Sequence, residues 1–525
     1  MKTSWRGRLG RAALGACAAA ALIASAVPAS AASGGAPPVV ATDHGLVRGT
    51  EADGVRTYEG IPFAAPPKGA LRWTAPQPAP RWAGVRDATK PQSPCPQAPG
   101  EVPGGSVEED CLYLNVTTPA AKQHKPRPVI VWIHGGGYTN GAGSSYDANR
   151  LASKGNAVVI TINYRLGVFG NLTYPGLKDG GTFGLLDQLA ALKWARANAR
   201  AFGGDPHNVT AAGESAGGMS ICALLTSPKA KGAFDKGVMQ SGSCLLHWTK
   251  NTWYPGLPGF KPYYAAKDAQ EFATEGAAAL QCTDAATAVD CLRGKEVEKL
   301  LALEVPFNAP SYDNSLLPRD PAEALRAGRF QRMPLLSGGN RDEANGSAAA
   351  IEAAGHLTED AYQGLLADSF GADAPKVAAR YPSSAYQSPA AAWGAVATDR
   401  AWACPTLEGN RLLAKRTRTY GYEFADRTAP PITPAPPGFP TGASHAFDLP
   451  YLFDLGGQHL LTTPAQEKLA DQMIASWTGF ARTGHAPWPR LRASADVPYV
   501  QSLDHDPAGA DMAERHQCDL WSTIP

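Results

Sequence analysis

The stretch Gly213-Glu214-Ser215-Ala216-Gly217 crowds a serine between small residues where two elements should meet. Val209 and Thr210 before it are β-branched and predict the end of a strand; Met219–Leu225 after it predict a helix. A serine on a sharp strand-to-helix turn has its hydroxyl raised above the sheet edge, where it can attack a carbonyl. The plainer reading of the same five residues is a tight turn that happens to contain serine. A serine hydroxyl becomes a nucleophile only when a base takes its proton and a third group orients that base. On turns of this kind the acid, and then the histidine, follow the serine along the chain. "SGGNRDEANG" (337–346) offers two adjacent acids, Asp342 and Glu343, and "TGASHAFDLPYLF" (441–453) puts His445 in a small-residue loop. Catalytic groups commonly occupy such loops at element ends. Acyl transfer also needs donors for the charge that develops on the carbonyl oxygen. The three glycines of "WIHGGGYTNG" (132–141) let backbone N–H groups approach a ligand closely. With the N–H of Ala216 they would form an oxyanion hole.

These groups need a frame that brings residues 135, 215, 343 and 445 together. "PVIVWI" (128–133) and "NAVVITINY" (156–164) are continuous apolar runs, the pattern of strands buried on both faces. "GLLDQLAALKWARANARAF" (184–202) spaces Leu185, Leu189, Leu192 and Ala195 at helical intervals. Further strands are expected at 236–242, 333–340 and 420–425. Strand and helix in alternation predict a mostly parallel sheet covered by helices. "RTAPPITPAPPGFPTGASH" (427–445) reads as a surface loop. No stretch has the composition of a linker, so residues 32–525 read as one catalytic domain with insertions.

Residues 1–31 carry Lys2, Arg6, Arg8 and Arg11, then an apolar run, then Ala29-Ser30-Ala31, the layout of a secretory signal peptide cleaved near Ala31. A lipoprotein anchor at Cys17 would leave too short an apolar run before the cysteine. The whole chain has 48 Lys+Arg against 47 Asp+Glu; less the leader's four bases the balance is 44 to 47, a charge of −3. That balance gives no electrostatic case for nucleic acid or an anionic membrane, and no stretch after the leader is apolar enough to span a bilayer. Eight cysteines follow the leader, and an even number in an exported chain favours disulfides. With no C-x-x-C and no H-E-x-x-H, neither a metal nor a cofactor is expected.

An ordered set of segments resembles the type-B carboxylesterases, the cholinesterase-like α/β-hydrolases. It comprises "YEGIPFAAPPKGALRW" (58–73), "EDCLYLNV" (109–116), "INYRLGVFGNL" (162–172), "FGGDPHNVTAAGESAGG" (202–218), "NRDEANG" (340–346), "SHAFDLPYLF" (444–453), "FARTGHAPWP" (480–489) and "HQCDLWSTIP" (516–525). The resemblance implies an α/β-hydrolase fold, a mostly parallel central sheet flanked by helices, and hydrolysis of small-molecule carboxylic esters through Ser215. It implies Glu343, not Asp342, as the acid, although Ala344 stands where the family usually has glycine. It matches His445 to the base, and Gly136, Gly137 and Ala216 to the oxyanion donors. Glu214, Ser241 and Asp448 match a polar network that supports the histidine in relatives, or else serve the fold alone. Cys95–Cys111, Cys282–Cys291 and Cys404–Cys518 match three family disulfides. Cys222 and Cys244 have no counterpart pair and are either a fourth disulfide or two buried thiols. Trp248 falls where relatives have an acyl-pocket aromatic, or is a core tryptophan. The loop enclosed by the first cysteine pair, residues 96–110, contains no aromatic residue to hold a quaternary ammonium by cation–π attraction, so choline esters are not expected. A lipase or thioesterase on the same site is the alternative, and a non-catalytic adhesion protein the remote one. Oligomeric state is not legible.

Overall fold

Arg127–Ile133 is buried along its whole length because another strand lies on each side and helices cover both faces. In the computed structural model, which describes residues 37–303 and 306–524, this segment is β4 of an eleven-stranded sheet. The strands, in chain order, are β1 (Thr50–Ala52), β2 (Val55–Pro62), β3 (Tyr113–Pro119), β4 (Arg127–Ile133), β5 (Val158–Ile162), β6 (Gly204–Glu214), β7 (Lys236–Gln240), β8 (Leu335–Asn340), β9 (Thr419–Phe424), β10 (Val500–Leu503) and β11 (Gly509–Ala510). Their spatial order is β11-β10-β9-β8-β7-β6-β4-β5-β3-β2-β1. Neighbours from β5 to β10 run parallel; the pairs at both edges of the sheet are antiparallel.

Alternation along β4 divides the core. Val129, Val131 and Ile133 point into a cluster with Leu185, Leu189 and Leu192 of helix α1 (Phe183–Asn198) and Ile221 and Leu224 of α2 (Ala216–Thr226). Ile130 and Trp132 point the other way, onto Leu469, Met473 and Trp477 of a later helix, Pro464–Thr483. That helix starts at a capping box in which Thr463 and Gln466 satisfy each other's backbone N–H groups. It stops at Gly484, whose φ of 72° suits glycine.

The parallel register has one functional consequence. Ile133 ends beside Gly213, Glu214 ends beside Gln240, and Gly338 and Asn340 of β8 stand beside Gln240 and Phe424 respectively. The loops leaving β4, β6, β7, β8 and β9 therefore emerge on one edge of the sheet. Ligands of open α/β sheets bind there, outside the carboxyl ends of the strands.

All eight cysteines among the described residues are bonded: Cys95–Cys111, Cys222–Cys244, Cys282–Cys291 and Cys404–Cys518. The open alternative at 222 and 244 resolves to a disulfide because α2 and the segment after β7 bring their Cα atoms to 5.6 Å, an ordinary bridging distance. Alkylation of the denatured, unreduced protein is expected to modify none of these eight; two modified residues at 222 and 244 would contradict the fourth bond. The leader expected from the sequence, with Cys17 and the expected cleavage position at Ala31, lies outside the described residues, and no helix among the described residues is long and apolar enough to cross a membrane.

Candidate active site

The turn at Ser215 is built by what its neighbours cannot be. Ser215 has φ 53° and ψ −121°, a region non-glycine residues rarely enter. Such backbone costs on the order of 1–3 kcal/mol and persists where surroundings impose it. Here the Ser215 N–H donates to the Gln240 carbonyl at 2.9 Å, and its own carbonyl accepts the Met219 N–H at 2.9 Å to start α2. A Cβ on Gly217 would lie 1.9 Å from the Ile133 carbonyl oxygen, and one on Gly213 2.6 Å from the same atom. The two glycines of the pentapeptide are therefore demanded by the close passage of β4 under the turn. Gly217→Ala is expected to unfold this region or abolish activity, checked by circular dichroism and ester turnover; a folded, fully active variant would show that the close approach is relaxed in solution.

The glycine run leaves β4 next to this turn. Gly136 and Gly137 have φ of 81° and 59°, and a Cβ on Gly136 would meet the Asn140 carbonyl oxygen at 2.2 Å. The loop is framed from below by His134, fully buried and stacked on Tyr164 with ring centroids 4.4 Å apart. Burial pushes the His134 imidazole down to about 4, so it stays neutral. From the side, Gln97 exchanges two hydrogen bonds with Gly141, at 2.8 and 2.9 Å, tying the Cys95–Cys111 loop to the glycine loop.

His445 comes from the far loop and is 20% exposed at its side chain. Its Nδ1 is 2.6 Å from Glu343 Oε2, and its backbone N–H donates to the Glu343 carbonyl at 3.1 Å. The other Glu343 oxygen accepts the Asn340 N–H at 2.8 Å. The neighbouring acid faces elsewhere: Asp342 accepts a two-pronged grip from Arg427, at 2.6 and 3.0 Å, and the Ala443 N–H at 3.0 Å. One carboxylate thus meets the histidine ring while the other pins the loop that carries it.

Glu214 and Asp448 lie in the same buried neighbourhood. Glu214 Oε1 is 3.2 Å from His445 Nε2. Asp448 accepts Gln240 Nε2 at 2.6 Å and Asn340 Nδ2 at 3.2 Å, while Gln240 Oε1 accepts the Trp477 indole N–H at 2.8 Å. Ser241 is buried with φ 49°, and its hydroxyl finds no hydrogen-bond partner among the described residues. Burial pushes the Glu214 carboxyl up while the charge of His445 beside it pulls it back down, and burial pushes the Asp448 carboxyl up to about 6. Burial opposes charge on His445 as well, but the Glu214 and then the Glu343 carboxylates outweigh it and hold the imidazole up at about 9.

Ser215, Gly136, Gly137, Glu214, Glu343 and His445 all line one cavity of about 1770 Å³. Its aromatic wall is Trp248, Trp253, Phe260 and Trp402, packed on one another with centroids 4.6–6.3 Å apart. Trp248 lines the cavity and is almost wholly buried. Trp253, Trp402, Gln240 and Asn340 were not singled out from the sequence as parts of the site. Asn340 alone carried a signal, as the first residue of the segment that holds the acids. Ile432 of the proline-rich segment also lines the cavity, so that segment is a wall of the site as well as a surface loop.

A strained serine turn on the carboxyl edge of a mixed sheet, with a carboxylate and a histidine brought together beside it from loops after later strands, is the layout of an α/β-hydrolase. The profile of the carboxylesterase family matches residues 36–521, and the chain belongs to that family. It is 34% identical to human cocaine esterase over 90% of this chain and 88% of the relative. It is 36% identical to the para-nitrobenzyl esterase of Bacillus subtilis (strain 168) over 85% and 90% of the two chains. A solved structure of a PNB esterase superposes with a TM-score of 0.75 at 31% identity, covering 91% of this chain and 99% of the other. The chain is thus a carboxylic ester hydrolase with the α/β-hydrolase fold.

Proposed function

We propose that the protein hydrolyses small-molecule carboxylic esters through an acyl-enzyme on Ser215. His445 Nε2 takes the Ser215 proton as the hydroxyl attacks the ester carbonyl, and Glu343 holds the Nδ1 proton so that the ring presents the right nitrogen. Backbone N–H groups of Gly136, Gly137 and Ala216 receive the oxyanion; His445 then returns the proton to the leaving alcohol. Water repeats the sequence on the acyl-enzyme, with His445 as base again, and frees the acid and Ser215. The observation that carries this reading is the 2.6 Å bond between His445 and Glu343 beside a strained Ser215 in one cavity.

Trp248 closes the acyl side together with its aromatic neighbours, which favours short to medium acyl groups. Residues 32–525 act as one exported domain after removal of the 1–31 leader; eight bonded cysteines support export. A series of p-nitrophenyl esters tests the substrate class: turnover should peak at short or medium acyl chains and be weak for palmitate, whereas a maximum at palmitate would favour a lipase. No turnover of any ester by folded protein would point to an adhesion role.

The pH dependence follows from the carboxylates around His445. A base works only when neutral, so kcat/KM should fall with acid on a limb above the ordinary histidine value of about 6.5. Glu214 is the carboxylate that raises His445 most. Glu214→Gln removes that negative charge, lowers the histidine's affinity for a proton, and should move the limb to lower pH. A wild-type limb at or below 6.5, or an upward shift in the variant, would contradict this.

A further inference from the structure

Behind the acid and the base the chain departs from regular helix. Between the helical stretches Pro389–Ala397 and Cys404–Ala414 it winds a π-helical turn, Thr398–Ala403, in which the Cys404 N–H donates to the Asp399 carbonyl, an i→i+5 bond. Such turns are rare and frequently occur at functional sites. Its inner side touches His445 and the residue next to Glu343. Thr398 Oγ1 accepts the buried N–H of Ala344, the residue after Glu343, at 3.0 Å. The Trp402 ring lies over His445 with centroids 4.6 Å apart and planes 40° apart. Residues 398 and 402 are four apart, so both face the site.

The outer side is clamped by the end of the chain. Asp399 accepts the Tyr381 hydroxyl at 2.7 Å and meets His516 Nδ1 at 2.5 Å. His516 Nε2 meets Glu423 Oε1 at 2.5 Å, and Arg515 also pairs with Glu423, near the end of β9. Cys404, the first residue beyond the turn, is bonded to Cys518. His516 is 3% exposed, and despite burial the two carboxylates hold it charged, up at about 10.

We infer that the π-helical turn 398–403 is a positioning device for hydrolysis: Thr398 holds the Glu343 loop, Trp402 fixes the plane of the His445 ring, and His516 anchors the turn through Asp399. The inference rests on the Ser215–His445–Glu343 reading above. None of the three residues exchanges a proton with substrate; each acts through the acid or the base. A free Ala344 N–H would turn to seek another acceptor and carry Glu343 with it, and a ring without Trp402 against it could swing about its Cα–Cβ bond.

Thr398→Val keeps the side-chain shape and removes the acceptor. It should lower kcat about tenfold, the worth of one buried hydrogen bond, with KM within about twofold. It should also move the acid limb of the pH profile downward, because a loosened Glu343 raises His445 less; Thr398→Ser should restore both. Trp402→Phe and His516→Gln should show the same lowered kcat and shifted limb, measured well below their melting temperatures. Unchanged kcat and pH limb in Thr398→Val, with only a lower Tm, would overturn the inference. If that variant does not fold, Trp402→Phe decides by the same two readouts. Glu343→Gln in parallel keeps the two levels apart: an active Glu343→Gln defeats the catalytic reading itself, whereas an inactive Glu343→Gln beside an unaffected Thr398→Val defeats only the positioning role.

Discussion

Ser215→Ala is expected to lower kcat by about 10⁶-fold while leaving the protein folded, since removing a triad serine in subtilisin costs about that much. The fold should hardly notice. The strained backbone at 215 is fastened by main-chain bonds to Gln240 and Met219, which alanine keeps. The hydroxyl is what leaves, and with it the only protein atom in the proposed sequence that bonds to the acyl group. Some rate above water should survive from the oxyanion donors and the bound geometry. Turnover of a p-nitrophenyl ester together with thermal unfolding checks both halves. Loss of activity with loss of fold would say nothing of nucleophilicity, but retained activity at unchanged Tm would remove Ser215 from the chemistry.

Glu343→Gln should be the next most damaging change, about 10⁴-fold in kcat on the precedent of an orienting carboxylate replaced by its amide, which leaves the histidine in the wrong tautomer. Asp342→Asn supplies the contrast. Asp342 sits 9% exposed under the Arg427 fork and the Ala443 N–H, so its replacement should cost stability, on the order of 1–3 kcal/mol for weakened charged hydrogen bonds, and cost activity only as far as the His445 loop loosens. Thermal melts and kcat for the two variants separate the roles. A crippled Asp342→Asn beside an active Glu343→Gln would reverse the assignment.

The choice between these two acids shows what a sequence carries and what it does not. Adjacent carboxylates in one loop have no local feature that tells them apart; only the resemblance to type-B carboxylesterases selected Glu343. What separates them in space is Arg427, 85 residues further along, which occupies Asp342. The central strands were legible because burial on both faces leaves a plain signature: the stretches 128–133 and 157–160 are unbroken by any polar residue. The antiparallel strands at the β1–β3 edge were not identified, being short or only partly covered, so their patterns carry less. The bond between Cys222 and Cys244 depends on how a helix and the following strand pack, which no spacing records. Thr398 and Trp402 were invisible for the same reason. Thr398 lies 54 residues along the chain from the Ala344 N–H it accepts, and Trp402 is also far in sequence from the ring it covers. Both reach the site through a turn whose irregular winding has no composition of its own.

The nucleophile can be tested in a single labelling experiment. A fluorophosphonate reacts only with a serine whose proton a base can take, and it leaves a stable adduct on that oxygen. Intact mass after exposure should rise by one phosphonyl group, peptide mapping should place it on Ser215 within the segment spanning 208–225, and Ser215→Ala should take up none. A label on any other serine, or a folded and active protein that takes up no label, would contradict the assignment of Ser215 as the attacking group.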